Sequence, residues 1–404
     1  MGSMVLTGAD RLHTEGKRLL EGKRFALLTN PTGMDGRFRS TIELCAELAS
    51  GKLVAFFACE HGLRNEVQAG VWIDDHTDPV YGLPVYSLYG KNRKPTAEML
   101  HDLDTIVFDV QDLGVRFYTY LTTLVYVLEA CAEHGTSLIV LDRPNPLGGY
   151  GIEGGFLGER FRSMVGAWRM PARTGMTIGE FARLVNGQSA RKCDLEVVAL
   201  EGWDRGMEYP DTGLPWVMPS PNMPTMDTVR VYAGNCLFEG TNLSEGRGTT
   251  KPFELVGAPW LRNADVCEAL NRLGLRGVHF QPATFTPMFQ KHQGALCRGV
   301  MTYVTDREAF RSTEAGLYLL HAIQRMHPED FAWYRPELRL EKDGEVKQPP
   351  YFIDILTGSD AVRRTLHEPG GLEAILAGWR KDSEAWREIR RPYLLYEEQA
   401  AWAT

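Results

Sequence analysis

Four apolar runs in the first 145 residues each end on groups capable of chemistry. Phe25-Ala26-Leu27-Leu28 leads into Thr29-Asn30, and Val54-Ala55-Phe56-Phe57 reaches Cys59-Glu60-His61. Ile106-Val107-Phe108 leads into Asp109-Val110-Gln111-Asp112, and Leu138-Ile139-Val140-Leu141 into Asp142-Arg143. If these runs are strands of one open parallel sheet, their carboxyl ends share an edge. Such sheets bind their ligands along that edge.

Glu60, half shielded by the strand before it, is placed to act as a general acid; the alternative is a simple ion pair with Arg64 one turn later. Asp109, Gln111, Asp112 and Arg116 form a second cluster, followed by Phe117, Tyr118 and Tyr120. Carboxylate, amide and guanidinium groups beside aromatic rings suit a sugar, which offers hydroxyls to bond and a flat apolar face. The competing reading of Asp112 and Arg116 is an ion pair at the start of a helix. Arg143 could grip a carboxylate with two parallel hydrogen bonds, or Asp142 and Arg143 could merely brace the Pro144-Asn145-Pro146 turn. A glycine-rich loop, Phe238 to Thr250, carries Glu239, Asn242, Glu245 and Arg247. Its density of polar groups suggests a binding loop, with either glutamate as a second carboxylate and Arg247 as another clamp.

Several common chemistries lack their signatures. GxGxxG does not follow the first strand, and GxxxxGK[ST] and GxSxG are missing. The histidines do not fall at metal-ligand spacing, and the 7 cysteines form no CxxC pair. No cofactor and no metal are therefore expected, and the dispersed cysteines read as reduced, mostly buried thiols. A net charge of −8 argues against nucleic acid as a partner. No apolar run approaches the roughly 18 residues of a membrane span. Met1-Gly2-Ser3 resembles a cloning remnant ahead of a natural start at Met4. The charged stretch from Val5 to Arg24 does not read as a secretory signal, so a cytoplasmic protein is expected unless a signal has been removed. Nothing in the sequence indicates the oligomeric state.

The elements that must position these groups alternate regularly. Helices are expected from Arg11 to Leu20, after a cap at Ser40 or Thr41, from Thr119 to Glu133, and after Thr177, where Glu180 completes a capping box. With strands at Leu53–Ala58, Leu83–Leu88, Thr105–Val110, Ser137–Leu141 and Leu195–Leu200, this is a βαβ pattern and hence a parallel sheet. A chain of 404 residues is expected to split into more than one domain. The expected division is a Rossmann-like α/β domain over 8–210, a Pro/Gly-rich interdomain and cleft segment over 211–260, and a smaller mixed α+β domain over 261–404. In the last, helices are expected at Ala264–Leu273 and Arg307–Met326, with strands near Gly277–Phe280 and Gly299–Val304.

Six segments together resemble one family. They are Leu27-Leu28-Thr29-Asn30-Pro31-Thr32-Gly33, Glu60-His61-Gly62, Gln111 to Tyr120, Leu141-Asp142-Arg143-Pro144-Asn145-Pro146, Pro219-Ser220-Pro221-Asn222-Met223-Pro224 and Phe238 to Thr250. They look like the exo-β-N-acetylmuramidases, a glycoside hydrolase family formerly known only as a domain of unknown function. The resemblance spans roughly residues 8 to 400. It implies release of N-acetylmuramic acid from the non-reducing end of peptidoglycan fragments during cell-wall turnover and recycling, at a site in the cleft between the two domains. It also implies Glu60 as the leading catalytic residue. The second role is open among Asp109, Asp112, Glu239, Glu245 and the substrate's own 2-acetamido group. Asn30, His61, Gln111, Arg116, Tyr118, Arg143, Asn242 and Arg247 are the expected substrate contacts, and Tyr118 and Trp72 the candidate stacking surfaces. The partner is then a muramic-acid disaccharide or muropeptide. Two rival readings are a non-catalytic muropeptide receptor and a metal-dependent hydrolase using His61, His76 and Asp74 or Asp75.

Overall fold

The computed structural model describes residues 4–48, 50–337, 339–340 and 346–398. The Met1-Gly2-Ser3 lead lies outside the described residues. Two compact units form, and they interleave along the chain. One takes Met1–Gly151, Gly175–Pro221 and Ile389–Thr404; the other takes Ile152–Thr174 and Asn222–Glu388.

The first unit is built on seven strands: β1 (Arg24–Thr29), β2 (Lys52–Ala58), β3 (His76–Thr77), β4 (Pro84–Ser87), β5 (Thr105–Asp109), β6 (Ser137–Leu141) and β7 (Leu195–Val198). Their spatial order is β3-β4-β2-β1-β5-β6-β7. All neighbours run parallel except the short edge strand β3, which is antiparallel to β4. β1 and β5 are apolar almost throughout because both faces of the sheet are covered. Phe25 and Leu27 share one cluster with Ala9, Leu12 and Leu20 of α1 (Gly8–Leu20) and with Cys45 of α2 (Thr41–Glu47). Ala26 and Leu28 are equally buried and point to the opposite face. The chain winds from β1 outward to β4 on one side, then from β5 outward to β7 on the other. The direction reverses between β1 and β5, so their carboxyl ends flank the crevice of a doubly wound sheet.

Local chemistry explains why the helices begin where they do. Ser40 caps α2 and Thr177 caps the helix Ile178–Gln188, each in a reciprocal box with the glutamate three residues on. Asp142, at the end of β6, accepts from the Gly179 amide at 2.8 Å, the Thr177 hydroxyl at 2.8 Å and the Tyr396 hydroxyl at 2.6 Å. Burial pushes its carboxyl up to about 7 despite these donors. The seven cysteines are free and buried.

The second unit holds a three-stranded antiparallel sheet of β8 (Leu255–Ala258), β9 (Val278–Phe285) and β10 (Cys297–Val304), in the order β8-β10-β9. Helices in this unit include Met226–Asn235, Asn263–Arg272 and Ser312–Met326. The first and last of these pack backbone to backbone at Gly234 and Gly316. A Cβ on Gly316 would meet the Gly234 backbone at 2.5 Å, so only glycine permits the approach. The overall class is α/β with a smaller mixed unit. Three details differ from the sequence reading. Met226–Asn235 is helical within the segment expected to be irregular, because Thr225 caps it and Val229, Val231 and Tyr232 bury its side chains. The helix expected from Arg307 starts at Ser312, since the Asp306 carboxylate accepts from the Glu308 and Ala309 amides and forms a separate turn. Residues 152–174 belong with the second unit and residues 389–398 with the first. Neither stretch has a periodicity that would announce this. No helix among the described residues is long and apolar enough to cross a membrane.

In the first unit, Glu180 and Arg205 form a fully buried ion pair. Arg205 also donates to the carbonyls of Gly175 at 3.0 Å and Tyr396 at 2.9 Å, and Glu180 accepts the Leu395 amide at 2.8 Å. Removing one partner strands the other's charge in the core. Arg205→Met should lower the unfolding free energy by about 3–5 kcal/mol, read from urea denaturation; a loss under about 1 kcal/mol would show that the pair is not holding the C-terminal return in place.

Candidate active site

Glu60 lies two residues past the end of β2. His61 and Gly62 follow with φ of +76° and +85°, so the chain turns sharply away from the strand. A histidine in the left-handed region is unusual and needs outside support. Its Nδ1 is 3.0 Å from the Val67 carbonyl, across the loop that the turn begins. The turn leaves Glu60 only 9% exposed. Its Oε2 accepts from the Thr119 hydroxyl at 2.8 Å, and its Oε1 from the Gly70 amide at 3.0 Å. Thr119 opens the helix Thr119–His134. Strand, helix start and loop thus converge on one carboxyl group.

Beside it, at the β1/β5 switch point, runs a chain of hydrogen bonds. Asn30 Oδ1 accepts from the Thr32 amide at 3.0 Å and hydroxyl at 2.6 Å, and its Nδ2 donates to the Tyr120 hydroxyl at 2.9 Å. Tyr120 in turn donates to the Pro219 carbonyl at 2.5 Å. Tyr118 packs edge-on against Tyr120, with ring centroids 4.7 Å apart. Burial drives both phenols well above their ordinary range, so they stay neutral. The 219–221 turn, part of one of the six segments, therefore packs onto this edge of the sheet.

The Gln111–Arg116 cluster is buried. Gln111 Nε2 donates to the carbonyls of Asp112 at 2.7 Å and Pro144 at 2.8 Å, while its Oε1 has no hydrogen-bond partner among the described residues. Asp112 Oδ2 accepts the Gly114 amide, and its Oδ1 has no hydrogen-bond partner among the described residues. Burial pushes the Asp112 carboxyl up to about 7, against the pull of the Gly114 and Leu113 amides. Burial also lowers Arg116 to about 10, which leaves it cationic at neutral pH.

Other expected site residues are brought together with each other. Asp109 and Arg143 form a bidentate pair at 2.5 and 2.9 Å, and Asp109 also accepts the Thr41 hydroxyl. A carboxylate and a guanidinium expected to face substrate are thereby committed to bracing the ends of β5 and β6. In the second unit, Arg247 bridges Glu239 at 2.5 Å and Glu245 at 3.2 Å. Lys291 reaches Glu245 at 3.0 Å and the carbonyls of Phe238 and Leu243. Burial works to raise the Glu245 carboxyl, but Lys291 and Arg247 overcome it and hold it below the usual range. Asn242 links the Asp330 carbonyl and the Ala332 amide. This loop is braced internally, so its polar density has a structural cause. His76 Nδ1 faces the Asp74 carbonyl at 3.2 Å. Among the described residues, no three His, Cys, Asp or Glu side chains gather where they could hold a metal ion.

Sequence reasoning passed over Thr119 and the Gly70 amide as partners of Glu60. Thr119 lies within a quoted segment, but its type alone carries no chemical signal. A backbone amide such as that of Gly70 carries none at all.

Residues 25–227 match the family model described as exo-beta-N-acetylmuramidase NamZ, N-terminal, and residues 230–396 match its C-terminal counterpart. The chain is 44% identical over 392 residues to a protein of Bacillus subtilis (strain 168) named peptidoglycan beta-N-acetylmuramidase NamZ, covering 97% of this chain and 91% of that protein. It is similar to two crystal structures of DUF1343 family proteins from Bacteroides fragilis NCTC 9343. One gives a TM-score of 0.88 at 34% identity and the other 0.76 at 32%; each covers 98% of this chain and 100% of its own. The chain therefore belongs to the exo-beta-N-acetylmuramidase NamZ family.

Proposed function

We propose that this chain is an exo-acting glycoside hydrolase that releases N-acetylmuramic acid from the non-reducing end of peptidoglycan fragments, with Glu60 as the general acid. The observation that carries the assignment is the setting of Glu60. It is a nearly buried carboxyl at the carboxyl edge of a parallel sheet, and among the described residues its hydrogen-bond donors are the neutral Thr119 hydroxyl and Gly70 amide. With neutral donors it can take up and release a proton without stranding a cation, as protonation of a leaving glycosidic oxygen requires. Asp112 is our candidate for the second role. Its bare Oδ1 can accept the N–H of the substrate's 2-acetamido group and so steady that group as the anomeric carbon becomes oxocarbenium-like. Arg116, cationic in the same cluster, suits the lactyl carboxylate that distinguishes muramic acid from N-acetylglucosamine. Asn30 and Gln111 contribute the polar floor between them.

Glu60→Gln should keep the wild-type melting temperature while release of N-acetylmuramic acid from a disaccharide falls by roughly 100-fold or more. A chromogenic β-N-acetylmuramide assayed beside its N-acetylglucosamine analogue reads both activity and selectivity; near-normal turnover by the variant would remove Glu60 from the mechanism.

The Asp112 setting makes a separate prediction about pH. Its carboxyl is raised in the fold to about 7 from an ordinary 3.8, so its contribution to stability is complete below pH ~4 and is lost as pH climbs through about 7. Asp112→Asn cannot ionise and escapes that loss. The melting temperature of Asp112→Asn relative to wild type should therefore rise between pH 5 and pH 8. Parallel curves for the two proteins would show that Asp112 does not carry a displaced titration.

A further inference from the structure

The loop that supplies the Gly70 amide to Glu60 has no place for its own aromatic ring. Between Leu63 and Asp75 the chain forms no helix or strand. It is tied down at a few points: the Val67 carbonyl to His61, Asn65 Nδ2 to the Met218 carbonyl at 3.0 Å, Arg64 to Asp78 at 2.5 Å, and the Asp75 carboxylate to the Ser87 amide at 2.7 Å. Gly70, at φ +79°, turns its N–H inward to Glu60 Oε1. Immediately after it the loop presents Val71, 45% exposed, and Trp72, 66% exposed. Tryptophan carries a large apolar face, and leaving most of it in water costs free energy that burial in the loop's own packing would recover. Two residues of chain span at most about 7 Å, so the indole belongs to the immediate surroundings of the Glu60 carboxyl.

We propose that Trp72 is the stacking platform for the sugar on the leaving side of the scissile bond, the N-acetylglucosamine unit that departs when N-acetylmuramic acid is released. This rests on the function proposed above. The choice between the two sugars follows from exposure. Asn30, Gln111, Asp112 and Arg116, which can bind the reacting sugar by its acetamido and carboxylate groups, are each at most 5% exposed. An exo-acting enzyme draws the terminal sugar into such a floor and leaves the remainder of the glycan at the rim. At the rim of Glu60 stands the exposed indole. A pyranose presents a flat C–H face to it, and the oxygen that Glu60 protonates joins the two sugars. Trp72 is therefore a specificity and positioning residue and has no part in proton transfer. Because its amide neighbour Gly70 binds Glu60, a sugar held on the indole also steadies the loop that orients the acid.

Trp72→Ala tests this directly. Its melting temperature should match wild type, since so exposed a ring packs little. KM for the N-acetylmuramyl-N-acetylglucosamine disaccharide should rise roughly tenfold, with inhibition by free N-acetylmuramic acid unchanged. Trp72→Phe should recover most of the lost affinity. Free N-acetylglucosamine should perturb tryptophan fluorescence in wild type, and this response should vanish in Trp72→Phe. An unchanged KM in Trp72→Ala overturns the proposal, as does an equal weakening of N-acetylmuramic acid inhibition, which would place that sugar on the indole instead. Wild type lacking all muramidase activity would overturn the functional reading itself, a result distinct from failure of the Trp72 assignment alone.

Discussion

The bidentate pair between Asp109 and Arg143 is the contact on which the first unit's site depends. It joins the carboxyl ends of β5 and β6, and it draws in the Thr41 hydroxyl from α2 and the Met34 carbonyl from the loop after β1. Two charges taken out of water are tolerable only when their hydrogen-bonding capacity is nearly filled, which these four partners accomplish together. Because they come from four different segments, no one segment can shift without exposing a charge. The spacing of the strand ends beside Asn30, Gln111 and Asp112 is thereby held.

The second unit uses the same physics in its glycine-rich loop, where Arg247 and Lys291 neutralise Glu239 and Glu245. The carboxylates singled out from the sequence thus divide into two kinds. Asp109, Glu239 and Glu245 face cations, which hold them in place and suit them to bracing. Glu60 and Asp112 meet neutral hydroxyl and amide donors. Chemistry that moves a proton needs the second kind, because protonating a braced carboxylate would leave a buried cation without its partner.

Much of the α/β unit was legible beforehand because its signals are local. Continuous apolar runs of strand length mark β1, β2, β5 and β6, and the Thr177–Glu180 and Ser40–Glu43 boxes mark helix starts from residues three apart. The helix at Met226–Asn235 was hidden by its surroundings, since the prolines and glycines on either side dominate the composition of that stretch. The interleaving of the two units was equally hidden. The return of residues 389–398 to the first unit rests on contacts such as Arg390 to the carbonyl of Gly149, and partners 241 positions apart leave no periodic trace.

By itself, the sequence determined the strand and helix grammar, the presence of polar groups at four strand ends, the lack of nucleotide and metal signatures, and the family. Each of these depends on residue type and short spacing. Only the tertiary structure decided which of those polar groups face each other. Asp109 and Arg143, and likewise Glu239, Glu245 and Arg247, close on one another, while Glu60 is held by a hydroxyl from the start of the Thr119–His134 helix and an amide from a distant turn of its own loop. The reason is that ion pairing and hydrogen bonding act over a few ångströms in space. The fold sets that distance, and the order of residues along the chain does not encode it in any local pattern.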